Sequence, residues 1–463
     1  MMQQRHKMNM QVAVRRLGSA GGVLSVCHGP KIHTVLRRLS AKAQSPRPIL
    51  SVAPIRALVD EKFKVSVENL PPAAPVTVHS LHQSEDQDCW EAYGHYISDH
   101  RGTVSVSEDL SFGGTYSGKE PMGLLWSMRP VPGSRFGLRL RKMDVCAPML
   151  VNITVFSGHE GFREHAPLAS VVTERWHVAP GVQRVEVTIE GMRGTLFIPP
   201  GLGAFPGVID IWGGGGGLPE YRAALLASHG YATMALENFA LDDLKGKNLD
   251  LNYFEMALDK LKNHPQVISD RVGVVGLSLG AIFLLYLTAE SPTFKPQCCI
   301  SICGSNILSN DGTLNGFYNS MFRNINKSRL DENNSLIWQD VGLEMLCDPT
   351  SLVDVGKINC PLLLVSGTDD QSWPTPKFAD LMAQMMRSAG KEHLVTTLAY
   401  PDAGHLIEPP FSPHFRATAF KVGGNNKKVI MLWGGHTKPH ADAQEDSWTK
   451  ILTFLKQHLY SSH

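Results

Sequence analysis

The pentapeptide Gly276-Leu-Ser-Leu-Gly280 constrains this chain more than any other feature. Upstream of it runs Val272-Gly-Val-Val275, apolar and β-branched, and downstream Ala281-Ile-Phe-Leu-Leu-Tyr286, a helical run. A serine between two glycines, entered from a strand and left through a helix, is the pattern of a nucleophile elbow. The flanking glycines remove side chains that would collide with neighbouring backbone in so sharp a turn. Ser278 is thereby pushed above the sheet edge, at the start of a helix whose free N–H groups favour developing negative charge.

That elbow demands a sheet around it, and the surrounding sequence supplies one. After about Gly191, apolar strands alternate with helical stretches. Strands are expected at Val208–Trp212, Tyr231–Leu236, Arg271–Gly276, Cys298–Cys303, Pro361–Ser366 and Val395–Tyr400. Helices are expected at Pro219–His229, Tyr253–Lys262, Leu279–Ala289 and Ser447–Leu459. Such alternation means a mostly parallel sheet covered on both faces, with reactive groups at the carboxyl ends of its strands. The stretch 305–351 is rich in Asn, Ser, Asp and Gly and reads as an insertion, a lid or pocket wall. Upstream, 49–190 follows a different grammar of short alternating runs: Phe63–Val67, Val76–Leu81, Thr103–Val106, Leu138–Leu140 and Val151–Phe156. This spacing, broken by Pro and Gly clusters, predicts an all-β sandwich.

A serine hydroxyl needs a base, and the base needs an orienting acid. In a sheet of this kind they follow the nucleophile in the order acid, histidine. The run Leu362-Leu-Leu-Val365 leads into Ser366-Gly-Thr-Asp-Asp370, where Asp369 and Asp370 compete. A tight turn at Gly367 favours Asp370, leaving Asp369 as a turn or capping residue. Of 19 histidines, His405 alone follows a late strand in a short loop, Tyr400-Pro-Asp-Ala-Gly-His405, while His229, His264 and His440 have structural contexts. The expected catalytic set is therefore Ser278, Asp370 and His405. For the oxyanion, the N–H of Leu279 is one expected donor. The second is expected within Gly213–Gly217, with Gly214 and Gly215 as the candidates, because glycines let backbone N–H groups approach an anionic oxygen closely.

Composition narrows the partners. The balance of 44 Lys+Arg against 43 Asp+Glu offers no field for a polyanion, so nucleic acid is not expected as a partner. No run of eighteen apolar residues suggests a membrane span. The 8 cysteines lack paired metal-ligand spacing and suggest no disulfide framework, and the chemistry calls for no cofactor or metal. Residues 1–48 contain no Asp or Glu but many Arg and Lys, the composition of a mitochondrial transit peptide, and the mitochondrial matrix is the expected location, with cytosol or peroxisome as alternatives.

Several further strings point to a family: Glu120-Pro-Met-Gly-Leu-Leu-Trp126, Arg193-Gly-Thr-Leu-Phe197, Gly214-Gly-Gly-Gly-Leu-Pro-Glu-Tyr-Arg222, Gly367-Thr-Asp-Asp370, Gly404-His405-Leu-Ile-Glu-Pro-Pro410 and Trp433-Gly-Gly435. With the elbow, and in this order, they resemble the type I acyl-CoA thioesterases and the bile acid-CoA:amino acid N-acyltransferases grouped with them. The resemblance runs from about Leu50 to the C-terminus. It implies a β-sandwich (49–190), then an α/β-hydrolase domain (191–463) acting on fatty acyl-CoA, with CoA part of substrate and product. It also favours Asp370 over Asp369. Two departures stand out: Leu279 occupies a position where thioesterases of the family often have a basic residue, and 305–351 diverges. The N-acyltransferase members use cysteine as nucleophile, whose acyl-enzyme is a thioester that amines attack well. Ser278 would form an oxygen ester, for which water is the natural acceptor, so hydrolysis of long-chain acyl-CoA is the expected activity. Amino-acid N-acyl transfer and the carboxylesterase or serine peptidase chemistry of the same fold are the alternatives.

Overall fold

The computed structural model describes residues 47–189, 192–240, 252–308, 314–348, 351–421 and 428–460. The expected targeting segment lies almost wholly outside them. Pro46–His463 forms one compact unit.

The front region builds two sheets around a common core. One has six strands in the order Arg56–Leu58, Ala169–Trp176, Met149–Ser157, Pro75–Gln83, Cys89–Ile97, Arg129–Pro130. Every neighbouring pair is antiparallel except the first. The other pairs Ile49–Ala53, Lys64–Glu68 and Val104–Ser105. Alternation explains the packing: along Lys64–Glu68 only Val65 and Val67 are buried, facing Val76, Val78, Trp90 and Ile153 of the larger sheet. The run Leu138–Leu140 is not a strand. Its alternation has another cause, because Leu138 and Leu140 pack on the core while Arg139 and Arg141 reach a cavity in the back region.

The back region is an eight-stranded sheet. Its strands are β1 (Gln183–Ile189), β2 (Met192–Ile198), β3 (Phe205–Ile211), β4 (Ala232–Leu236), β5 (Val267–Leu277), β6 (Cys299–Ile302), β7 (Leu362–Gly367) and β8 (Val395–Tyr400). They lie in the order β1-β2-β4-β3-β5-β6-β7-β8. Pairing is parallel from β4 through β8, while the β1–β2 and β2–β4 pairs are antiparallel. This is an α/β-hydrolase sheet. It begins earlier than the change of grammar at 191 implies, because β1 and β2 pair antiparallel on either side of the expected boundary. In β1 most side chains are exposed, so the strand lacks the apolar run that marks its neighbours.

The 305–351 stretch is not irregular throughout. It carries helices Leu314–Arg323 and Gln339–Leu346 and two short strands, Arg329–Leu330 and Leu336–Ile337. The second of these strands joins Lys428–Leu432 of a late hairpin through Leu336 and Met431. The last helix runs Thr437–Leu459, ten residues longer upstream than its apolar periodicity suggests. Its first turns bury small and polar side chains, His440, Ala441, Ala443 and Gln444, which give no hydrophobic signal. No described helix is long and apolar enough to cross a membrane.

Candidate active site

The strand β5 delivers Ser278 to the sheet edge, and the helix Leu279–Glu290 starts immediately after it. Ser278 has φ 56° and ψ −121°, a strained geometry for a residue with a side chain. Its N–H donates to Ile302 O of β6 at 2.9 Å, which locks the turn. A Cβ on Gly276 would come within 2.6 Å of the Ala281 nitrogen, and one on Gly280 within 2.5 Å of Trp212 O. Only glycine fits at either position.

The three expected residues converge. Ser278 Oγ lies 2.8 Å from His405 Nε2, and His405 Nδ1 lies 2.7 Å from Asp370 Oδ2. A carboxylate only accepts, so Nδ1 carries the proton and Nε2 is left to accept from the serine hydroxyl. Asp370 is fully buried, and His405 nearly so. The Asp370 Oδ1 accepts from the N–H groups of Ser372 (3.0 Å) and Trp373 (2.8 Å), and Oδ2 also accepts from Thr375 Oγ1 (2.9 Å). Asp369 points elsewhere, accepting from Gln371, from Arg416 and from the N–H of Gly435. Burial alone would raise its carboxyl, but these bonds hold it below the usual carboxylate range.

Acid and base loops are stitched to one another. Asp369 N–H donates to Ala403 O, and His405 N–H to Trp433 O, both at 2.9 Å. The Trp433 indole stacks on the His405 ring, 5.7 Å between centroids at 16°. From the insertion, Gln339 donates to the Asp370 carbonyl at 2.8 Å. None of these partners has a local sequence signal, although the Trp433-Gly-Gly435 string marked the region.

The glycine run is ordered rather than a flexible linker: Gly215–Gly217 pairs antiparallel with Asn238–Ala240. A Cβ on Gly213 would sit 3.4 Å from Ser278 Oγ, and one on Gly214 would sit 3.5 Å from Leu279 Cδ2. The run therefore lines the nucleophile, alongside the first N–H of the helix at Leu279. Gly215 is held within the run. Its N–H is spent on Gly213 O at 2.9 Å, so Gly214 remains the better placed of the two expected glycines. The start of the run is fixed from below by a buried ion pair, Arg222 with Asp210, which also accepts from Trp212 Nε1 at 3.1 Å.

Ser278 and His405 open into one cavity. Its apolar wall comes from Leu279, Ile282, Phe317, Met321, Trp338 and Met431, the insertion and the late hairpin contributing most of it. The glycine run also lines it, with Arg139 and Arg141 from the front region. Arg139 forms a buried ion pair with Glu408, three residues after His405. Among the described residues one set of potential metal ligands falls close together, Cys303, Asp370 and His405, with donor atoms within 4.8 Å. Asp370 and His405 are already engaged with each other, and burial pushes the Cys303 thiol well above its ordinary range, so the trio makes a poor metal site.

Of the histidines expected to be structural, His229 pairs with Asp60 at 2.6 Å and His264 accepts from Gln266 N–H at 3.2 Å. His440 lies in the last helix rather than a loop, against the backbone on either side of His405.

The family pattern described as "Acyl-CoA thioester hydrolase/BAAT N-terminal region" matches residues 60–189, and "BAAT / Acyl-CoA thioester hydrolase C terminal" matches 249–461. The chain belongs to this family. It is 38% identical to the mouse (Mus musculus) peroxisomal succinyl-coenzyme A thioesterase over 89% of its own length and 97% of that protein. It is 36% identical to mouse acyl-coenzyme A thioesterase 2, mitochondrial, over 89% of this chain and 90% of that one. Mouse bile acid-CoA:amino acid N-acyltransferase is 34% identical over 89% of this chain and 97% of its own. The relatives are named for reactions of coenzyme A thioesters. Thioesterases and an acyltransferase both appear among the relatives, so the acceptor is decided by the site's own chemistry.

Proposed function

We propose that this protein hydrolyses long-chain fatty acyl-CoA to free acid and CoA through an acyl-enzyme on Ser278. The observation that carries the reading is the unbroken relay from Asp370 through His405 to Ser278 Oγ at the floor of a largely apolar cavity. In the first half-reaction Ser278 Oγ attacks the thioester carbonyl while His405 Nε2 takes its proton. Asp370 keeps the ring in the Nδ1–H tautomer and stabilises the imidazolium. The N–H groups of Leu279 and Gly214 hold the oxyanion, each such donor being worth about 2.7–4 kcal/mol. Collapse expels CoA sulfur, which takes the proton from His405. Water then attacks the ester with His405 as base, and Ser278 recovers its hydrogen as the acid leaves.

The choice of water over an amine rests on the serine. Its acyl-enzyme is an oxygen ester, less open to amine attack than a thioester. The apolar wall built by the insertion supports a long acyl chain. The acid-free, Arg-rich N-terminus supports the mitochondrial matrix as its location, and a fluorescent reporter carrying residues 1–48 that stays out of mitochondria would remove that support.

Single-turnover kinetics with palmitoyl-CoA, with and without glycine or taurine, test the activity. Equal free acid and CoA, insensitive to amine and reduced at least about 10⁴-fold in Ser278→Ala, are expected. An amide product would move the protein to acyl transfer.

A further inference from the structure

The chain around His405 is gripped on both sides by one side chain that the chemistry above does not use. Gly404 N–H donates to His440 Nδ1 at 3.0 Å, and His440 Nε2 lies 2.8 Å from Leu406 O. Nδ1 therefore accepts and Nε2 carries the proton, which leaves a neutral ring with both nitrogens engaged. His440 is 2% exposed and belongs to the first turns of the helix Thr437–Leu459. The same helix end takes a third hold on this loop, His436 N–H donating to Asp402 O at 2.8 Å. The His414 ring packs at 4.7 Å from that of His440 and lies 3.0 Å through Nε2 from Gly434 O, next to Trp433.

We propose that His440 is a positioning residue for His405, clasping Gly404 and Leu406 so that the ring between them meets Ser278 and Asp370 at once. The inference rests on His405 acting as the base. Two bonds flanking one residue fix the direction of its Cα–Cβ bond, and with it where the ring can point. A displacement of about 1 Å at a reacting group costs on the order of 10²-fold in rate. Ring neutrality is part of the design. A proton on Nδ1 would face the Gly404 N–H, donor against donor, and burial followed by the neighbouring His414 brings the His440 pKa down to about 3. The charged or titratable groups facing it are His414 and His405.

The test is the rate at which a fluorophosphonate labels Ser278, because that reagent reports activation of the serine whatever the acyl substrate. His440→Leu removes both bonds, whereas His440→Gln offers an amide oxygen and an amide N–H that can replace them. Labelling of the Leu variant is expected to slow about 100-fold, with kcat for acyl-CoA falling and KM little changed, while the Gln variant recovers to within about tenfold of wild type. A Leu variant that labels at the wild-type rate, or a Gln variant as slow as Leu, overturns the proposal. Should either variant misfold, ¹⁵N NMR of the wild-type imidazoles decides: His440 is expected to keep a bare Nδ1 and a protonated Nε2 from about pH 5.5 to 8. A proton on Nδ1 in that range overturns it. Rapid labelling of wild type without turnover of any acyl-CoA would sink the substrate reading and leave the clasp standing.

Discussion

Asp369 and Asp370 are adjacent, chemically identical and both hydrogen-bonded, yet the geometry gives them separate tasks. Asp370 is sealed beneath His405 and accepts from Ser372, Trp373 and Thr375, while Asp369 ties Arg416 to the Gly435 backbone. Asp370→Asn should lower kcat by about 10⁴-fold, since an amide can donate to Nδ1 and favours the wrong tautomer. Asp369→Asn should leave kcat within about tenfold and act on stability instead, by about 1–3 kcal/mol. Steady-state kinetics and denaturant unfolding of the two variants separate these effects, and equal losses of kcat would contradict the assignment. At this scale much was legible. Ser278 announces itself because strand, turn and helix are contiguous, and Asp370 and His405 follow as residues of short loops after strands in the expected order. His440, Trp433 and Gln339 could not be read this way. Their contacts join residues 28 to 36 positions apart, and nothing local distinguishes His440 from the other histidines of the chain.

The elements divide the work between scaffold and wall. The parallel strands β3 to β8 fix the chemistry, and the insertion with the late hairpin shapes what reaches it. Met321 lies on the insertion's first helix and lines the cavity beside Phe317 and Trp338. Met321→Trp should therefore shorten the acyl chain the cavity accepts. We expect kcat/KM for a sixteen-carbon acyl-CoA to fall about tenfold or more while a four-carbon acyl-CoA is spared, since each lost methylene contact is worth about 0.8 kcal/mol. Equal effects on both lengths would show that the chain lies elsewhere. The sheet was readable from its apolar runs, because strands buried on both faces carry a continuous signal. The exposed β1 carries none, and the 138–140 run alternates for a reason other than pairing. The insertion's two short strands, only two residues each, also escape, since they pair with one another and the second is anchored to Lys428–Leu432, almost a hundred residues downstream.

At the scale of the molecule, front and back regions share one hydrophobic cluster, with Trp90 edge-on to Phe415 at 5.7 Å and the Arg139–Glu408 pair buried between them. Composition predicted two grammars but had no means of showing how the front arm would reach the cavity. Titration acts on the whole chain too. Burial brings His177 and His440 down to about 3, so the folded state holds them neutral while the unfolded chain protonates them near 6.5. The folded pKa is depressed, so their contribution is intact above the unfolded value and is lost as pH falls toward the folded one. Glu91, held at about 2 against the opposing effect of burial by His79 and Arg163, adds to the loss below its unfolded value. His229, raised by its bond to Asp60, works in the opposite sense. Stability should therefore decline from about pH 6.5 downward, by up to about 1.4 kcal/mol per pH unit for each buried neutral histidine. Urea unfolding at several pH values measures this, and a midpoint unchanged between neutral and mildly acidic pH would contradict it.

Rapid-quench mass spectrometry of the protein mixed with palmitoyl-CoA, followed by peptide mapping, tests for the acyl-enzyme on Ser278. A palmitoyl mass on the Ser278 peptide, formed within the first turnover with stoichiometric CoA release and lost as free acid appears, is the expected result. Free acid without any adduct on Ser278, or an adduct on another residue such as Cys303, would contradict the account.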